Sequence, residues 1–228
     1  MYGHVIHNVN RPSEKLLEKF KDIWPSTLCD AMGRHGVMNS EIRPIFDGIQ
    51  LLGTALTVLC FPGDNSTTHK ALQMIKSGDI LVIDDGDYNT GTFGHNMSLH
   101  ARARGALGVI TSGAIRDLKL LREDKFPIFC RSVSPRSPQK NTPGAINGPV
   151  HVGGVVVNAG DIIVADDDGV AVVPLPIAED IAKKAKERQQ MELDQAEGIK
   201  KGELPLEILY GATWVDDLLA GKIVEDKE

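Results

Sequence analysis

SGDILVIDDGD (77–87) and AGDIIVADDDGVAVVP (159–174) are two versions of one phrase, and they point to the fold class. In each copy a Gly-Asp turn leads into a short run of branched apolar residues, which is typical of a buried strand. Acidic residues and a glycine follow, so we predict that each strand ends at an edge of a sheet. Carboxylates beside a glycine favour a turn over a metal site, and neither acidic cluster is included among the catalytic candidates.

Strands and helices alternate around this phrase. Three further runs have the composition of buried strands: LLGTALTVLCF (51–61), GALGVITSG (105–113) and KFPIFCRSV (125–133). Helical spacing or capping residues mark four segments: residues 12–24, 25–36, 65–77 and 95–104. Residues 134–149 are rich in Pro, Ser, Gly and Asn and are predicted to form a loop. The pattern predicts an α/β fold, a layered sheet sandwich with flanking helices.

The C-terminal segment IAEDIAKKAKERQQMELDQAEGIKKGE (177–203) has the pattern of a long polar helix with a narrow apolar stripe. A solvated surface helix would explain it, but so thin a stripe does not by itself justify a helix of that length. We therefore predict an arm that packs on a neighbouring subunit. The predicted organisation is one catalytic domain over residues 1–177, including the N-terminal helices, and a helical arm over residues 178–228.

The composition of the 228 residues disfavours several functional classes. Acidic residues number 31 and basic residues 25, for a net charge of -6, which argues against nucleic acid as a partner. The three cysteines are far apart and form no CxxC pair, so neither a disulfide framework nor a zinc site is predicted. Neither a signal-peptide pattern nor a run of about 18 apolar residues is present, so we predict a cytoplasmic protein without a membrane span.

The segment GTFGHNMSLHARARGALGVITSGAIRD (91–117) begins with a glycine-rich turn that we predict to be flexible. A helix is predicted to begin near His95, and its first amides, around His95, Asn96 and Met97, would have no partners within the helix. Free amides at a helix start attract carboxylates, because the N–H groups and the helix dipole act together. A purely structural turn explains the same residues, so the turn alone does not establish a binding site.

Arg116 and Asp117 close the same segment. They follow a buried strand and a Ser-Gly-Ala turn, so both side chains should emerge at the end of a strand, where ligands often bind. Taken alone, the dipeptide is better explained as surface charge.

The runs ARARGALGVITSGAIRD (101–117) and GDIIVADDDGVAVVP (160–174) resemble the RraA-like family, and the resemblance spans roughly residues 25–210. That family includes the class II pyruvate aldolases acting on 4-hydroxy-4-methyl-2-oxoglutarate and 4-carboxy-4-hydroxy-2-oxoadipate. The resemblance implies a β/β/α sandwich of the swivelling-domain type that assembles as a homotrimer or hexamer. It also implies a divalent-metal-dependent lyase that cleaves a 4-hydroxy-2-oxo acid to release pyruvate, with oxaloacetate decarboxylase activity beside it.

The resemblance also assigns roles to individual residues. Asp117 matches the carboxylate that binds Mg²⁺ or Mn²⁺, and Arg116 matches the arginine that holds the 2-oxo acid and offsets the charge of its enolate. Glu192 matches an acid that reaches a neighbouring subunit's metal through water. The carboxylate of pyruvate would be received by the amides of one loop: Gly94, His95, Asn96 and Met97.

One departure from the family pattern is His95, which stands where the aldolases carry an acidic residue. A histidine is able to order water for proton transfer, or it caps the helix and leaves the site either weaker or tuned to another substrate. Two alternatives therefore stay open: a lyase for a different 2-oxo acid, and a non-catalytic protein that restrains an RNA-degrading endonuclease. The arm over residues 178–210 favours the enzyme. Four cations are candidates for a distal carboxylate, with a surface role as their alternative: Lys119, Arg122, Arg43 and Arg131.

Overall fold

A mixed sheet of ten strands forms the centre of the fold in the computed structural model, which describes residues 3–202, 217, 218 and 220–222. Its strands are β1 His4–Val5, β2 Arg43–Pro44, β3 Leu51–Leu59, β4 Asp79–Asp84, β5 Gly91–Phe93, β6 Gly108–Ile115, β7 Ile128–Val133, β8 Ala145–Ile146, β11 Ile162–Asp166 and β12 Gly169–Val173. A separate antiparallel hairpin consists of β9 Val150–Val152 and β10 Val155–Val157.

The middle of the sheet is parallel, and this arrangement positions the candidate site. Strands β3, β4, β6 and β7 lie side by side in that order, and the short strand β5 pairs in parallel with the end of β6. The carboxyl ends of β4, β5 and β6 therefore meet at one edge. The hairpin of β11 and β12 extends the sheet through an antiparallel pairing with β3.

Six α-helices and one 3₁₀ helix accompany the sheet in the described part of the chain. They are α1 Glu14–Glu18, α2 Pro25–Ala31, α3 Ser66–Leu72, α4 His95–Ala103, α5 Leu118–Glu123, the 3₁₀ helix Leu175–Ile177 and α6 Ala178–Lys200. The helices predicted over 12–24 and 65–77 are real but shorter than the apolar spacing indicated. None of the helices among the described residues is long and apolar enough to cross a membrane.

Alternate residues of the central strands face two different hydrophobic clusters, as the period of a strand requires. Leu81 and Ile83 of β4 face a cluster that also contains residues of α3, α4 and α5. Ile80 and Val82 of the same strand face a second cluster, which includes residues of the β9–β10 hairpin. A third cluster joins α1, α2 and the first turns of α6 to the β11–β12 hairpin.

The predicted α/β class with layered sheet and helices is confirmed, and both copies of the Gly-Asp phrase lead into strands of the same sheet. One local prediction was wrong, because the supposed flexible turn at 91–94 contains the buried strand β5. The chain divides into two compact units, Met1–Ala185 and Lys186–Glu228, and α6 begins in the first of them. The arm over residues 178–228 and its packing on a neighbouring subunit stay predictions.

Candidate active site

The ends of β5 and β6 bring Arg116 and Asp117 against the start of α4. The backbone N–H of Arg116 donates to the carbonyl oxygen of Phe93 at 2.9 Å, which ties the two strand ends together. Gly94 is needed at this point, since a Cβ there would lie 2.7 Å from Asp117 Oδ2 and 3.0 Å from Arg116 Cγ. A side chain at position 94 would therefore push the two charged residues away from the helix start.

Asp117 is held in a left-handed backbone conformation, with φ of 62°, directly before α5. Aspartate adopts this conformation more readily than most residues with a side chain, and here it brings the carboxylate to the start of α4. Its Oδ2 accepts a hydrogen bond from the backbone N–H of His95 at 3.1 Å and lies 3.6 Å from Arg116 Nε. The carboxylate is 39% exposed, so it remains accessible to a ligand.

The start of α4 has the free amides that the sequence predicted. The N–H of His95 is taken by Asp117, but the N–H groups of Asn96 and Met97 donate to no acceptor in the described part of the chain. Arg116 stands next to them, with its Nη1 3.2 Å from Ser137 Oγ and its side chain 42% exposed. Two amides and one guanidinium thus offer donors to an anion at a single place.

The imidazole of His95 is engaged by a neighbouring helix end. Its Nε2 lies 2.7 Å from Asp124 Oδ2, and Arg102 fixes the same residue by donating to the Asp124 carbonyl oxygen at 2.7 Å. The ring is not among the groups that line the cavity beside Asp117. His95 therefore contributes its backbone amide to the site, while its side chain links the start of α4 to the end of α5. Asp124 was not foreseen from the sequence.

A cavity of about 170 Å³ contains the predicted residues, apart from His95 and Glu192. Its lining consists of Asn65, His69, Gly91, Thr92, Gly94, Asn96, Met97, Arg116, Asp117, Pro138 and Lys140. A larger cavity of about 390 Å³, lined in part by Arg11 and Asp79, lies at the opposite end of β4 and holds none of the Arg116 and Asp117 set. The smaller cavity is the candidate active site because the free amides and the charged pair meet there.

Lys140 and His69 are cavity residues that the sequence analysis did not identify. The ammonium group of Lys140 forms no hydrogen bond or ion pair with any residue that the structure describes. Burial lowers the pKa of His69, and the positive charges of Lys140 and His100 lower it further. The site therefore combines two basic side chains, Arg116 and Lys140, with a histidine biased towards its neutral form.

Asp64 holds the loop that carries Lys140. This buried carboxylate accepts hydrogen bonds from the backbone N–H groups of Asn141 at 2.6 Å and Thr142 at 2.9 Å, and from Ser66 on the other side. Burial alone would raise the pKa of Asp64, but these hydrogen bonds outweigh it and lower the pKa to about 2. Residues 139–142 are thereby fixed to the start of α3, although they are some 77 residues away in sequence.

Asp85 does not line the cavity but contacts the cavity residue Thr92 from inside the protein, and it does not belong to a simple turn. It accepts hydrogen bonds from Thr92 Oγ1 and Ser112 Oγ, both at 2.9 Å, and it is completely buried. Gly113 makes room for it, since a Cβ there would lie 2.0 Å from Asp85 Oδ2. Burial raises the pKa of Asp85 to about 6, although both hydroxyl groups act in the opposite direction. Its neighbour Asp84 does serve a turn, accepting from the Gly86 amide at 3.1 Å.

The four cations considered for a distal carboxylate lie elsewhere and do not line the cavity. Arg122 donates to the carbonyl oxygen of Ile45 at 2.6 Å, and Arg43 donates to that of Asp168 at 3.2 Å. The other two form surface ion pairs: Lys119 with Glu123, and Arg131 with Glu41 and Asp87.

Glu192 lies on α6 in the second compact unit, and its Oε1 is 3.1 Å from Arg188 Nε. Its role at the metal of a neighbouring subunit stays a prediction. Within the residues that the structure describes, no group of three or more His, Cys, Asp or Glu side chains forms a cluster able to hold a metal ion.

Known proteins resemble this chain in sequence and in structure. A provisionally named 4-hydroxy-4-methyl-2-oxoglutarate aldolase of Halalkalibacterium halodurans is 36% identical over 174 residues, or 76% of this chain and 83% of the relative. A solved structure of an uncharacterized Pseudomonas syringae protein has a TM-score of 0.80 and 25% identity, covering 89% of this chain and 96% of its own.

Streptomyces coelicolor RraAS2 is a further solved relative, described as an unusual member of the RNase ES inhibitor RraA protein family. It superposes with a TM-score of 0.75 at 28% identity, over 82% of this chain and 98% of its own. The family model described as RraA-like, Aldolase/RraA, matches residues 25–172. The resemblance inferred from the sequence is confirmed, and the chain belongs to the RraA-like family.

Proposed function

We propose that this protein is a divalent-metal-dependent lyase that cleaves the C3–C4 bond of a 4-hydroxy-2-oxo acid and releases pyruvate. The observation that carries the proposal is the placement of Arg116 and Asp117 beside the free amides of Asn96 and Met97 in one cavity. The aldolase name of the H. halodurans relative supports the same reaction.

The residues around Asp117 fit a hard divalent cation such as Mg²⁺ or Mn²⁺. Mg²⁺ is commonly bound by one or two carboxylates and keeps several waters, so the single half-exposed carboxylate of Asp117 is a sufficient protein ligand. When bound, the cation would polarise the 2-oxo group as a Lewis acid.

The other residues would bind and orient the substrate. The amides of Asn96 and Met97 would receive the carboxylate next to the 2-oxo group, because they point their N–H groups towards an anion at the helix start. The guanidinium of Arg116 would stabilise the negative charge that develops on the enolate oxygen as the C3–C4 bond breaks. Lys140 lines the same cavity and would hold the second carboxylate of a dicarboxylic substrate.

Cleavage also requires a group that removes the proton of the 4-hydroxyl and returns a proton to C3 of the enolate, which then leaves as pyruvate. Among the described residues that line the cavity, His69 is suited to this role, since its lowered pKa keeps the imidazole neutral and able to accept a proton. Glu192 from a neighbouring subunit is a second candidate. We further propose that the protein is cytoplasmic and assembles as a homotrimer or hexamer, with the arm over residues 178–228 at the subunit contact.

Oxaloacetate decarboxylation is expected beside the aldolase reaction. Loss of carbon dioxide from oxaloacetate produces the same pyruvate enolate, so Arg116 would stabilise both reactions in the same way. His95 stands where the resembling aldolases carry an acid, which leaves a lyase for another 2-oxo acid as a variant of the proposal.

A second candidate function is a non-catalytic regulator of an RNA-degrading endonuclease. The name of the S. coelicolor relative favours it, because that protein belongs to a family of RNase ES inhibitors. The two functions differ in a direct observation: an enzyme turns over a 2-oxo acid, whereas a regulator slows RNA cleavage without consuming one.

The test is turnover of 4-hydroxy-4-methyl-2-oxoglutarate and oxaloacetate with added Mg²⁺ or Mn²⁺. We expect Asp117→Ala to lose at least about 100-fold in kcat/KM, because it removes the cation's protein ligand. The matched control is Glu123→Ala, which removes an exposed acid of the neighbouring helix that pairs only loosely with Lys119, at 3.9 Å. Absence of turnover in the folded, metal-supplied wild type would refute the proposal.

A further inference from the structure

The larger cavity, of about 390 Å³, lies at the opposite end of β4 from the candidate active site. Small-molecule pockets have volumes of roughly 300 to 1,000 Å³, so this cavity is large enough for a ligand. Acidic residues outnumber basic ones in the whole chain, by 31 to 25, but the cavity has the opposite balance. The single carboxylate among its described lining residues is that of Asp79, whereas four of its side chains are basic: His7, Arg11, Lys70 and Lys76.

The carboxylate of Asp79 is fully buried, and both of its oxygens are engaged within the protein. Its Oδ1 accepts a hydrogen bond from Arg11 Nη2, and its Oδ2 accepts one from the backbone N–H of Lys76 at 2.7 Å. This ion pair holds Arg11 in place, because separating the pair would leave an uncompensated charge in the interior. The side chain of Arg11 is nevertheless 26% exposed, and Asp79 uses only part of its guanidinium. Arg11 is therefore a fixed cation in the wall of the cavity.

The other basic groups of the cavity have no acidic partner among the residues that the structure describes. Lys70 Nζ donates to the neutral amide oxygen of Gln73 at 3.1 Å. The ammonium group of Lys76 and the ring of His7 form no hydrogen bond or ion pair in the described part of the chain. With Arg11, the two lysines make three cations against a single carboxylate, which leaves two positive charges unbalanced. A cleft lined by charges of one sign concentrates their potential and attracts ions of the opposite sign.

Part of the cavity wall comes from residues that precede the family match. The family model begins at residue 25, whereas His7 and Arg11 belong to the segment before α1. This segment is attached to the sheet, because β1 pairs with β8 and Asn147 Nδ2 donates to the carbonyl oxygen of Ile6 at 2.7 Å. The wall is therefore an ordered part of this fold, and the part of the chain that matches the family model does not form the cavity alone.

Apolar side chains line the cavity beside the cations. Leu56 is buried and Met74 is partly buried, and both belong to the same hydrophobic cluster. Charged and apolar groups in one cavity suit an organic anion better than a bare inorganic ion, since its carbon skeleton has surface to pack on.

We propose that this cavity binds a small organic dianion, either a dicarboxylate or a phosphate monoester, whose oxygens contact Arg11, Lys70 and Lys76. Guanidinium and ammonium groups recognise carboxylate and phosphate by the same charge-assisted hydrogen bonds, and two negative charges balance the excess in the cavity. The site is separate from the candidate active site and does not depend on the proposed function.

Methionine methyl groups make the two cavities separately observable. Met74 lines this cavity, and Met97 lines the candidate active site. The test is a titration of the intact wild-type chain, labelled with ¹³C at its methionine methyls, with succinate and separately with glycerol 3-phosphate. The NMR signals are assigned with Met74→Leu and Met97→Leu. We expect the Met74 signal to shift and saturate with at least one of the two anions, with a Kd below about 1 mM.

The two titrations also identify the anion, because saturation by succinate alone assigns a dicarboxylate and saturation by glycerol 3-phosphate alone assigns a phosphate ester. A Met74 signal that does not move with either anion, up to about 20 mM, would overturn the proposal. A signal that moves in proportion to concentration without saturating would overturn it as well.

Two lysine variants test the recognition itself. Lys70→Gln and Lys76→Gln remove exposed cations and leave the Arg11–Asp79 pair intact, and each is expected to weaken binding at Met74 about 3- to 10-fold. The matched control is Lys15→Gln, which removes an exposed cation of α1 that does not line the cavity. Unchanged affinity in the double variant Lys70→Gln, Lys76→Gln would overturn the proposal. An equal loss in Lys15→Gln would also overturn it, because the attraction would then follow the net charge of the chain and not the cavity.

Discussion

Replacing Asp85 by Asn tests whether the buried carboxylate that supports Thr92 lowers the stability of the fold while it supports activity. The carboxylate is fully buried, and its two hydroxyl donors, Thr92 and Ser112, do not keep its pKa in the ordinary range. An asparagine has nearly the same shape and no charge. Its NH₂ group would need an acceptor, and Thr92 Oγ1 is able to supply one by turning its own proton towards the Ala114 carbonyl oxygen, 3.4 Å away.

The size of the effect follows from the pKa of Asp85, which burial raises from 3.8 to about 6. A change of this size corresponds to a difference of roughly 3 kcal/mol between the protonated and the ionised forms in the folded state. Because the folded state binds this proton more tightly than the unfolded chain does, stability falls as the pH rises from about 4 to about 6 and is not lost further above that. At pH 8 the ionised carboxylate therefore lowers the free energy of unfolding by roughly 3 kcal/mol relative to the protonated form.

The assay is denaturant unfolding of the wild type and Asp85→Asn at pH 4 and at pH 8. We expect the variant to equal the wild type at the lower pH and to be more stable by about 1 to 3 kcal/mol at the higher pH. We also expect kcat/KM to fall about 10-fold, because Thr92 and the wall it forms are less firmly held. Asp87→Asn, an exposed acid of the same turn, is the control. A variant that is less stable at pH 8, by an amount independent of pH, would refute the reasoning.

Two further predictions concern the loop that carries Lys140. Lys140→Met is expected to raise KM for dicarboxylic substrates about 10-fold with a smaller change in kcat, because it removes a cation and no reacting group; an unchanged KM in steady-state kinetics would contradict this. Asp64→Asn is expected to lower the free energy of unfolding by about 2 to 3 kcal/mol at neutral pH and to raise KM as the loop loosens. The reason is that the folded-state pKa of about 2 lies below the pKa of the unfolded chain. The ionised carboxylate therefore stabilises the fold above the unfolded pKa, and this stabilisation is lost as the pH falls towards 2. Equal stability of variant and wild type in urea at pH 7 would contradict the second prediction.

The sequence was informative where function depends on local pattern. The buried strand before Arg116 and Asp117 is visible as an apolar run, and the helix start at His95 follows two glycines, so the sequence alone indicated the charged pair and the free amides. The short strand β5 was interpreted as a turn, because its three residues include a glycine and its pairing partner in β6 lies about twenty residues further along the chain.

The rest of the site depends on contacts between distant parts of the chain. Lys140 reaches the cavity through a loop whose composition gave no functional signal, and Asp64 holds that loop from the other side of the sequence. Asn65 and Asp85 are polar side chains that the fold buries, and their burial cannot be read from the sequence. For His95 the sequence left two roles open, ordering water or capping the helix, and the contact between its ring and Asp124 was invisible without the fold.

The proposed function requires that Arg116 and a cation bound at Asp117 stabilise the enolate of pyruvate. The most direct measurement is the exchange of the methyl protons of pyruvate with deuterated solvent, monitored by proton NMR. The samples contain no Mn²⁺, and they are compared with and without Mg²⁺. We predict exchange in the wild type that requires Mg²⁺ and is lost in both Asp117→Ala and Arg116→Ala, while Glu123→Ala exchanges normally. Exchange that persists in Asp117→Ala, or a folded wild type that exchanges no protons with Mg²⁺ present, would contradict the account.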